Sequence, residues 1–225
     1  MNDMTNVQSV LRRLVTIWAD FEGRLNKVDI ISRINRGKIT LEDYKAILLN
    51  HRQQVVEGSR WISRAASSIE APYLDQRSSI LRHAATEHLD YKMLEADFVN
   101  CGGKASEITK GTKNIGSEAL HAWMMHKASQ QNPFDLLGAM FIIEGLGKNF
   151  AGNWVKKLEN CLSLSPEQTS FYRYHAEHDE DHMEELEDVL ASGILAIDGM
   201  EDQIVKTAKV TGRLYLLQLE ELGNV

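Results

Sequence analysis

The sequence predicts an all-α fold, a single domain over residues 1–225 built as a bundle of about seven helices. Apolar residues recur at helical spacing along most of the chain, and no alternating strand pattern of useful length is present. The three prolines, Pro72, Pro133 and Pro166, each stand where one helical segment can give way to the next. With 225 residues and a 43% apolar share, the chain is long enough to bury one sizeable core.

The first part of the chain contains clear helix start and stop signals. Residues 6–21 carry an apolar stripe at helical spacing, which predicts a helix with one face in the core. An Arg-Gly pair at residues 36–37 ends a short second helix. Thr40, followed three residues later by Asp43, forms a capping-box-like start for a long helix over residues 41–68.

Similar signals divide the rest of the chain. A Gly-Gly pair at residues 102–103 and a Ser-Gly pair at residues 192–193 each stop the helix before them. Asn132 is expected to cap a helix in which Pro133 is the first residue. The predicted helices are residues 74–100, 118–130, 133–162, 171–190 and 200–222, and the predicted loop is residues 104–117.

Charge and composition exclude several classes of partner. The formal net charge of −7 argues against nucleic acid and anionic membrane surfaces, since both need a basic patch. The N-terminus lacks the basic and apolar regions of a signal peptide, and no apolar run approaches the ~18 residues of a membrane span. Cys101 and Cys161 form no CxxC motif, which favours reduced thiols. A soluble, cytoplasmic protein is therefore expected.

The strongest chemical motif lies in the helix predicted over residues 171–190. His175, Asp179 and His182 stand at i, i+4 and i+7, so they fall on one ridge of that helix. Two imidazoles and a carboxylate on one ridge suit Fe, Mn or Zn. His178, at the edge of the same face, is an extra ligand or an outer residue of the site. The alternative is a polar, solvated helix face.

The helix predicted over residues 74–100 repeats this spacing. His83, Glu87 and Asp90 again stand at i, i+4 and i+7, and Leu94 continues the face as apolar. Carboxylates that lead into an apolar stripe suggest a buried edge, where a charge must be paired or bound to metal. An exposed acidic edge is the alternative.

A third helix contributes a single glutamate. Glu144 follows an apolar run, and no other charge appears until Lys148, so its carboxylate is expected to be buried. The competing explanation is a buried salt bridge to an arginine. His51, by contrast, is a lone helical histidine, which is more often a packed or surface residue than a ligand.

Together these residues predict a two-metal site in the core of a helical bundle. The predicted ligands are four carboxylates and two imidazoles from three helices, which favour Fe or Mn over a cysteine-rich zinc site. The six are Glu87, Asp90, Glu144, His175, Asp179 and His182.

Over residues 28–190 the chain resembles the heme-oxygenase-like superfamily, which includes the TenA thiaminases and the pyrroloquinoline-quinone synthesis oxidase. The most similar branch is the heme-oxygenase-like diiron oxidases, also described as iron-containing redox enzymes. The H-x3-D-x2-H motif of that branch is matched at residues 175–182, and its mid-chain glutamate at Glu144. The segments that carry the resemblance are RGKITLEDY, HAATEHLDYKMLEADFVNCGG, LLGAMFIIEGLG and FYRYHAEHDEDH.

The resemblance implies two Fe(II) ions, or Mn, and O2 as co-substrate in the oxidation of a small organic molecule. It also implies a homodimer, which is common in the superfamily. The family's first ligand helix reads E-x2-H, whereas this chain has Glu87 and Asp90 there. Asp90 can still ligate iron, and His83 or His88 could compensate for the missing histidine. Tyr91, Tyr172 and Tyr174 could lie close enough to the ligands for oxidised-tyrosine chemistry, although such tyrosines are more often packing residues.

Two other functions are compatible with the same resemblance. A TenA-like hydrolase of C–N bonds in thiamin-related compounds would need a nucleophilic cysteine, Cys101 or Cys161, near an acid. A non-catalytic member that binds metal or ligand would follow if Asp90 degrades one metal site. The number of irons bound per chain separates the three functions: two for the oxidase, none for the hydrolase and one for the non-catalytic member.

Overall fold

Helices and short turns make up all of the chain that the computed structural model describes, namely residues 2–224, with side chains described for residues 6–178 and 184–224. That range contains no β-strand, and the predicted all-α class is confirmed. The helices are α1 (Asn2–Leu25), α2 (Asp29–Asn35), α3 (Leu41–Val55), α4 (Gly58–Ser67), α5 (Leu74–Glu87), α6 (Tyr91–Asn100), α7 (Ala105–Thr109), α8 (Ile115–Ala128), α9 (Leu137–Leu146), α10 (Gly152–Leu162), α11 (Ser170–Ala191) and α12 (Met200–Glu220).

The predicted number of helices, about seven, is wrong. The described residues form about ten, if α9 and α10 count as one continuous helix and the five-residue α7 is left out. The helix predicted over residues 41–68 is broken after Val55, and the one predicted over residues 74–100 is broken at residues 88–90. Neither break contains proline, and the first is held by ion pairs from Glu57 to Lys113 and Arg60.

Several predicted caps are confirmed, and one is wrong. The Thr40 hydroxyl accepts from the backbone N–H of Asp43, whose carboxylate accepts from that of Thr40. Gly37, in the turn that ends α2, has a φ of 63°, the left-handed conformation that favours glycine. Asn132 does not cap a helix. It adopts a φ of 47°, and its side-chain oxygen accepts from the backbone N–H of Glu70.

Helix α9 lies at the centre of the bundle. Every residue of α9 except Ile143 is buried, including Glu144. The helix comes so near α12 that a Cβ on Gly138 would lie 2.0 Å from the Ile204 carbonyl oxygen. A π-helical turn, Gly147–Ala151, joins α9 to α10 and begins three residues after Glu144. Such widened turns are frequent at functional sites.

None of the described helices combines the length and the apolarity that are needed to cross a membrane.

Candidate metal centre and cavity

Three of the predicted ligands meet where α5, α6 and α11 come together. Glu87 is the last residue of α5, Asp90 lies in the turn before α6, and His175 lies on α11. One ligand atom from each lies within 4.8 Å of the other two. Residues 88–90 form a turn rather than a helix, and this turn still leaves the two carboxylates side by side.

The His175 imidazole is oriented by its own helix. Its Nδ1 lies 2.9 Å from the Phe171 carbonyl oxygen, which can only accept, so Nδ1 carries the hydrogen. In the neutral ring Nε2 then carries a lone pair, and it lies 3.4 Å from Asp90 Oδ2. Two electron-pair donors that face each other at this distance suit a shared cation. A histidine whose outer nitrogen donates to a carbonyl is also the usual arrangement of a metal ligand.

Helix α11 is held in place by a buried carboxylate of α6. Asp97 is fully buried, and its Oδ1 accepts from the Ser170 backbone N–H at 3.0 Å and from the Ser170 hydroxyl at 2.6 Å. Its Oδ2 accepts from the Phe171 N–H at 3.0 Å. These bonds satisfy two N–H groups at the start of α11 that have no partner within the helix. Asp97 therefore fixes the helix one turn before His175.

A second group of ionisable residues adjoins the first. The buried His83 lies one turn before Glu87, with Nε2 4.0 Å from Glu144 Oε1 and Nδ1 3.5 Å from Glu185 Oε2. The ion pair described for Glu144 is with His83 and not with an arginine. Glu185 was not predicted as a site residue from the sequence. It lies three residues beyond His182, almost one helical turn further along the ridge of His175, Asp179 and His182.

The electrostatics of the cluster favour a cation. The pKa of Glu87 is raised to about 6, mainly by burial and next by the neighbouring Glu144 and Asp90 carboxylates, while His175 and His83 oppose the shift. Three carboxylates and two imidazoles in a mostly buried space provide oxygen and nitrogen donors. This donor set fits Fe or Mn.

The other predicted site residues lie in several places. Asp179 and His182 belong to α11, but they lie outside the side chains that the structure describes. His88 and His178 are exposed, so His83, and not His88, is the additional imidazole of the buried cluster. Tyr174 stacks on His178, with 4.2 Å between ring centroids, and contacts His175.

Tyr91 lies in a different environment from the cluster. Arg52 and Lys92 lie over its ring, 5.3 and 4.9 Å from the centroid. These contacts give Tyr91 a packing role at the start of α6.

A cavity opens beside the cluster and has about 950 Å³ of space between atoms, counting its mouth. Glu87, Glu144 and His175 line it, and its apolar lining includes Trp61, Ile62, Leu120, Met124, Leu146, Trp154 and Phe171. Neither cysteine is among the lining residues. Cys101 is buried, and burial raises the pKa of its thiol to about 11, whereas Cys161 is exposed. This apolar lining suits a small organic ligand.

His51 belongs to a polar group on the cavity wall. Its Nδ1 lies 2.9 Å from the Tyr172 hydroxyl, and its Nε2 lies 3.4 Å from the Tyr215 hydroxyl. Burial, with a smaller contribution from His175, lowers the pKa of His51 to about 3, so the ring is neutral. The Phe171 ring lies between the two histidines, 5.1 Å from His51 and 4.1 Å from His175. Nothing in the spacing of the sequence links these residues.

Glu57 contributes a negative charge to the cavity wall. Lys113 Nζ and Arg60 Nη1 lie 2.9 and 2.7 Å from its carboxylate oxygens, and His121 Nδ1 lies 3.7 Å away. Burial raises the pKa of Glu57, but these neighbours outweigh burial and hold the pKa below its usual value. The carboxylate is therefore ionised at neutral pH.

Comparison with known proteins identifies the family. A family model described as "iron-containing redox enzyme" matches residues 89–215, more than half of the chain. The chain therefore belongs to the iron-containing redox enzyme family, as the resemblance in the sequence predicted. The matched region contains Asp90, Glu144 and His175, while Glu87 lies just before it. No curated protein sequence matches the chain.

Solved structures with the same fold include a domain of unknown function with a heme oxygenase-like fold from Shewanella denitrificans. It has a TM-score of 0.86 and 17% identity, covering 93% of this chain and 89% of that one. A TenA homolog from Pseudomonas syringae pv. tomato has a TM-score of 0.79 and 12% identity, covering 96% and 93%. A TenA homologue from P. horikoshii has a TM-score of 0.72 and 14% identity, covering 97% and 98%.

Proposed function

We propose that the chain is a non-heme oxidase or oxygenase that holds two iron ions, or manganese in their place, and uses O2 to oxidise a small organic metabolite. The observation that carries this proposal is the meeting of Glu87, Asp90 and His175 on the wall of an apolar cavity. Membership of the iron-containing redox enzyme family supports it.

The residues that would hold the metals are the six predicted ligands, with His83 and Glu185 beside them. Glu87, Asp90 and His175 form one group of donors, and Glu144 with His83 adjoins it. Bound iron would supply the electrons that reduce O2. The contribution of the chain is to orient His175 through the Phe171 carbonyl and to exclude water with the apolar lining. Glu87 must release its proton before it can bind a metal.

The test is metal content, measured by elemental analysis after expression in iron-supplemented medium. We expect about two irons per chain, since the four predicted carboxylates would balance the charge of two Fe(II). Glu87→Gln and His175→Ala should each lower the iron content. Glu57→Gln is the matched control, because Glu57 also lines the cavity as a buried carboxylate but lies outside the cluster.

The same measurement separates the alternatives. One iron per chain would favour a non-catalytic member in which Asp90 has degraded one site. Protein that takes up no Fe(II) or Mn(II) would contradict the oxidase and favour hydrolysis of a C–N bond in a thiamin-related compound. That reaction would have to use the buried carboxylates of the cavity as acid and base, because neither cysteine lines the cavity.

A further inference from the structure

The His51 wall, defined as His51, Trp154, Tyr172 and Tyr215, is a polar surface of the main cavity that the proposed metal centre does not use. The same four residues line a second, smaller cavity behind the first. They therefore lie between the two spaces, where a ligand in the main cavity can reach them.

The hydrogen bonds of the His51 wall leave one hydroxyl hydrogen without an acceptor. A neutral imidazole has one N–H donor and one lone pair. Because His51 contacts the Tyr172 hydroxyl through Nδ1 and the Tyr215 hydroxyl through Nε2, one tyrosine must donate to the ring and the other must accept from it. The accepting tyrosine retains its own hydrogen, and the described residues offer no other acceptor to either hydroxyl.

Trp154 adds a second donor to the same wall. Its Nε1 is buried and has no hydrogen-bond partner among the described residues. Buried donors are normally paired, and one without a partner calls for an explanation. The wall therefore has two donors without an acceptor, one tyrosine hydroxyl and the Trp154 N–H. An oxygen atom of a ligand could accept hydrogen bonds from both.

The charges of the cavity indicate that this oxygen belongs to an uncharged group. No lysine or arginine is among the lining residues, whereas Glu57, Glu87 and Glu144 are. A carboxylate at the His51 wall would be buried with no cation on that wall to offset its desolvation. A carbonyl oxygen accepts the same hydrogen bonds without that cost.

We propose that the His51 wall binds an uncharged oxygen acceptor of the substrate, such as the carbonyl oxygen of a ketone, ester or amide. The apolar remainder of the molecule would then lie along the cavity, beside the carboxylate cluster. This inference rests on the proposed function, because it names the substrate class of the same cavity.

The test is the binding of four small probes to the full-length chain, measured by ligand-detected NMR titration. Acetophenone, ethylbenzene, 1-phenylethylamine and benzoate share one ring and differ in the group attached to it. We expect acetophenone to bind about threefold to tenfold more tightly than ethylbenzene, the range that one or two neutral hydrogen bonds provide. Benzoate and the amine should bind more weakly than acetophenone.

Variants show whether the hydroxyl groups of Tyr172 and Tyr215 cause the preference for acetophenone. The double variant Tyr172→Phe/Tyr215→Phe should reduce the preference for acetophenone, because only the Trp154 donor remains, and should leave the binding of ethylbenzene unchanged. Tyr44→Phe is the matched control, because its buried hydroxyl donates to the Gln168 carbonyl oxygen and Tyr44 lines only the smaller cavity. Tyr44→Phe should retain the preference.

Three results would overturn the inference: equal binding of acetophenone and ethylbenzene, tighter binding of benzoate or of the amine, or an unchanged preference in the double variant. The titrations are run on the protein as purified and again after treatment with a chelator. A chain that binds no iron but prefers acetophenone would contradict the proposed function alone. A chain with two irons and no preference would contradict this inference alone.

Discussion

Glu87 is the residue whose charge depends most on its surroundings. Its pKa is raised to about 6 by burial first and by the Glu144 and Asp90 carboxylates next. The carboxyl group of Glu87 has a higher pKa in the folded chain than in the unfolded chain. Its contribution to folding stability is therefore complete at pH values below the pKa of the unfolded chain. That contribution is lost as the pH rises through about 6. At neutral pH the metal-free protein therefore carries a destabilising charge at the place where a cation would bind.

Glu87→Gln should stabilise the metal-free protein at pH 8 while weakening metal binding. The amide removes the charge, and a pKa difference of about 1.5 units corresponds to roughly 2 kcal/mol in the free energy of unfolding. Urea denaturation at pH 5 and pH 8 measures the effect, which should be smaller at pH 5. The control is Glu187→Gln, at an exposed position of α11. A variant less stable than the wild type at pH 8 would contradict the prediction.

Metal affinity should fall with pH below about 6 for the same reason. Below its pKa, Glu87 must lose a proton for each metal bound through it, so the affinity for Mn(II) should fall about tenfold per pH unit. Titration calorimetry in two buffers with different enthalpies of protonation would detect the released proton. Release of no proton at pH 5.5 would show that Glu87 is not a ligand.

At the scale of the helix, the position of His175 depends on the bonds between Asp97 and the start of α11. Asp97→Asn keeps the size of the side chain but replaces one acceptor oxygen with a donor that faces N–H or O–H groups of α11. We expect the free energy of unfolding to fall by about 1–3 kcal/mol, together with a loss of metal affinity. Asp188→Asn, on the exposed side of α11, should change neither quantity.

Local sequence signals predicted many of the helix boundaries. The Thr40–Asp43 capping box acts within a few residues, so it could be read directly from the sequence. The break at residues 88–90 and the π-helical turn at Gly147–Ala151 could not be predicted in this way. The first contains neither glycine nor proline. The second lies in a run with continuous helical periodicity, so packing of the neighbouring helices determines both.

At the scale of the molecule, the cluster joins helices that are distant in sequence. Glu87 ends α5, Asp90 lies just before α6 and His175 lies on α11, so a metal bound to all three would cross-link the bundle. Mn(II) at one hundred times its dissociation constant should raise the free energy of unfolding by about 2.7 kcal/mol, and a chelator should reverse the effect. Thermal unfolding with and without metal measures this. In His175→Ala the two curves should be closer together than in the wild type.

The sequence was more informative about the cluster than about the cavity. His83, Glu87 and Asp90, like His175, belong to motifs with regular spacing, and Glu144 was conspicuous as a lone charge in an apolar run. The His51 wall, in contrast, is assembled from α3, α10, α11 and α12. No spacing within one helix connects residues that become neighbours only through the packing of four helices.

The turn at residues 88–90 has a mechanical consequence. In a continuous helix the side chains of Glu87 and Asp90 would stand at a distance set by the helical repeat alone. Here Glu87 ends α5 and Asp90 precedes α6, so the distance between the two carboxylates depends on the angle between these helices. A change in that angle alters the distance. Conversely, an ion that fixes the distance also fixes the angle, and thereby the direction in which α6 presents Asp97 to α11.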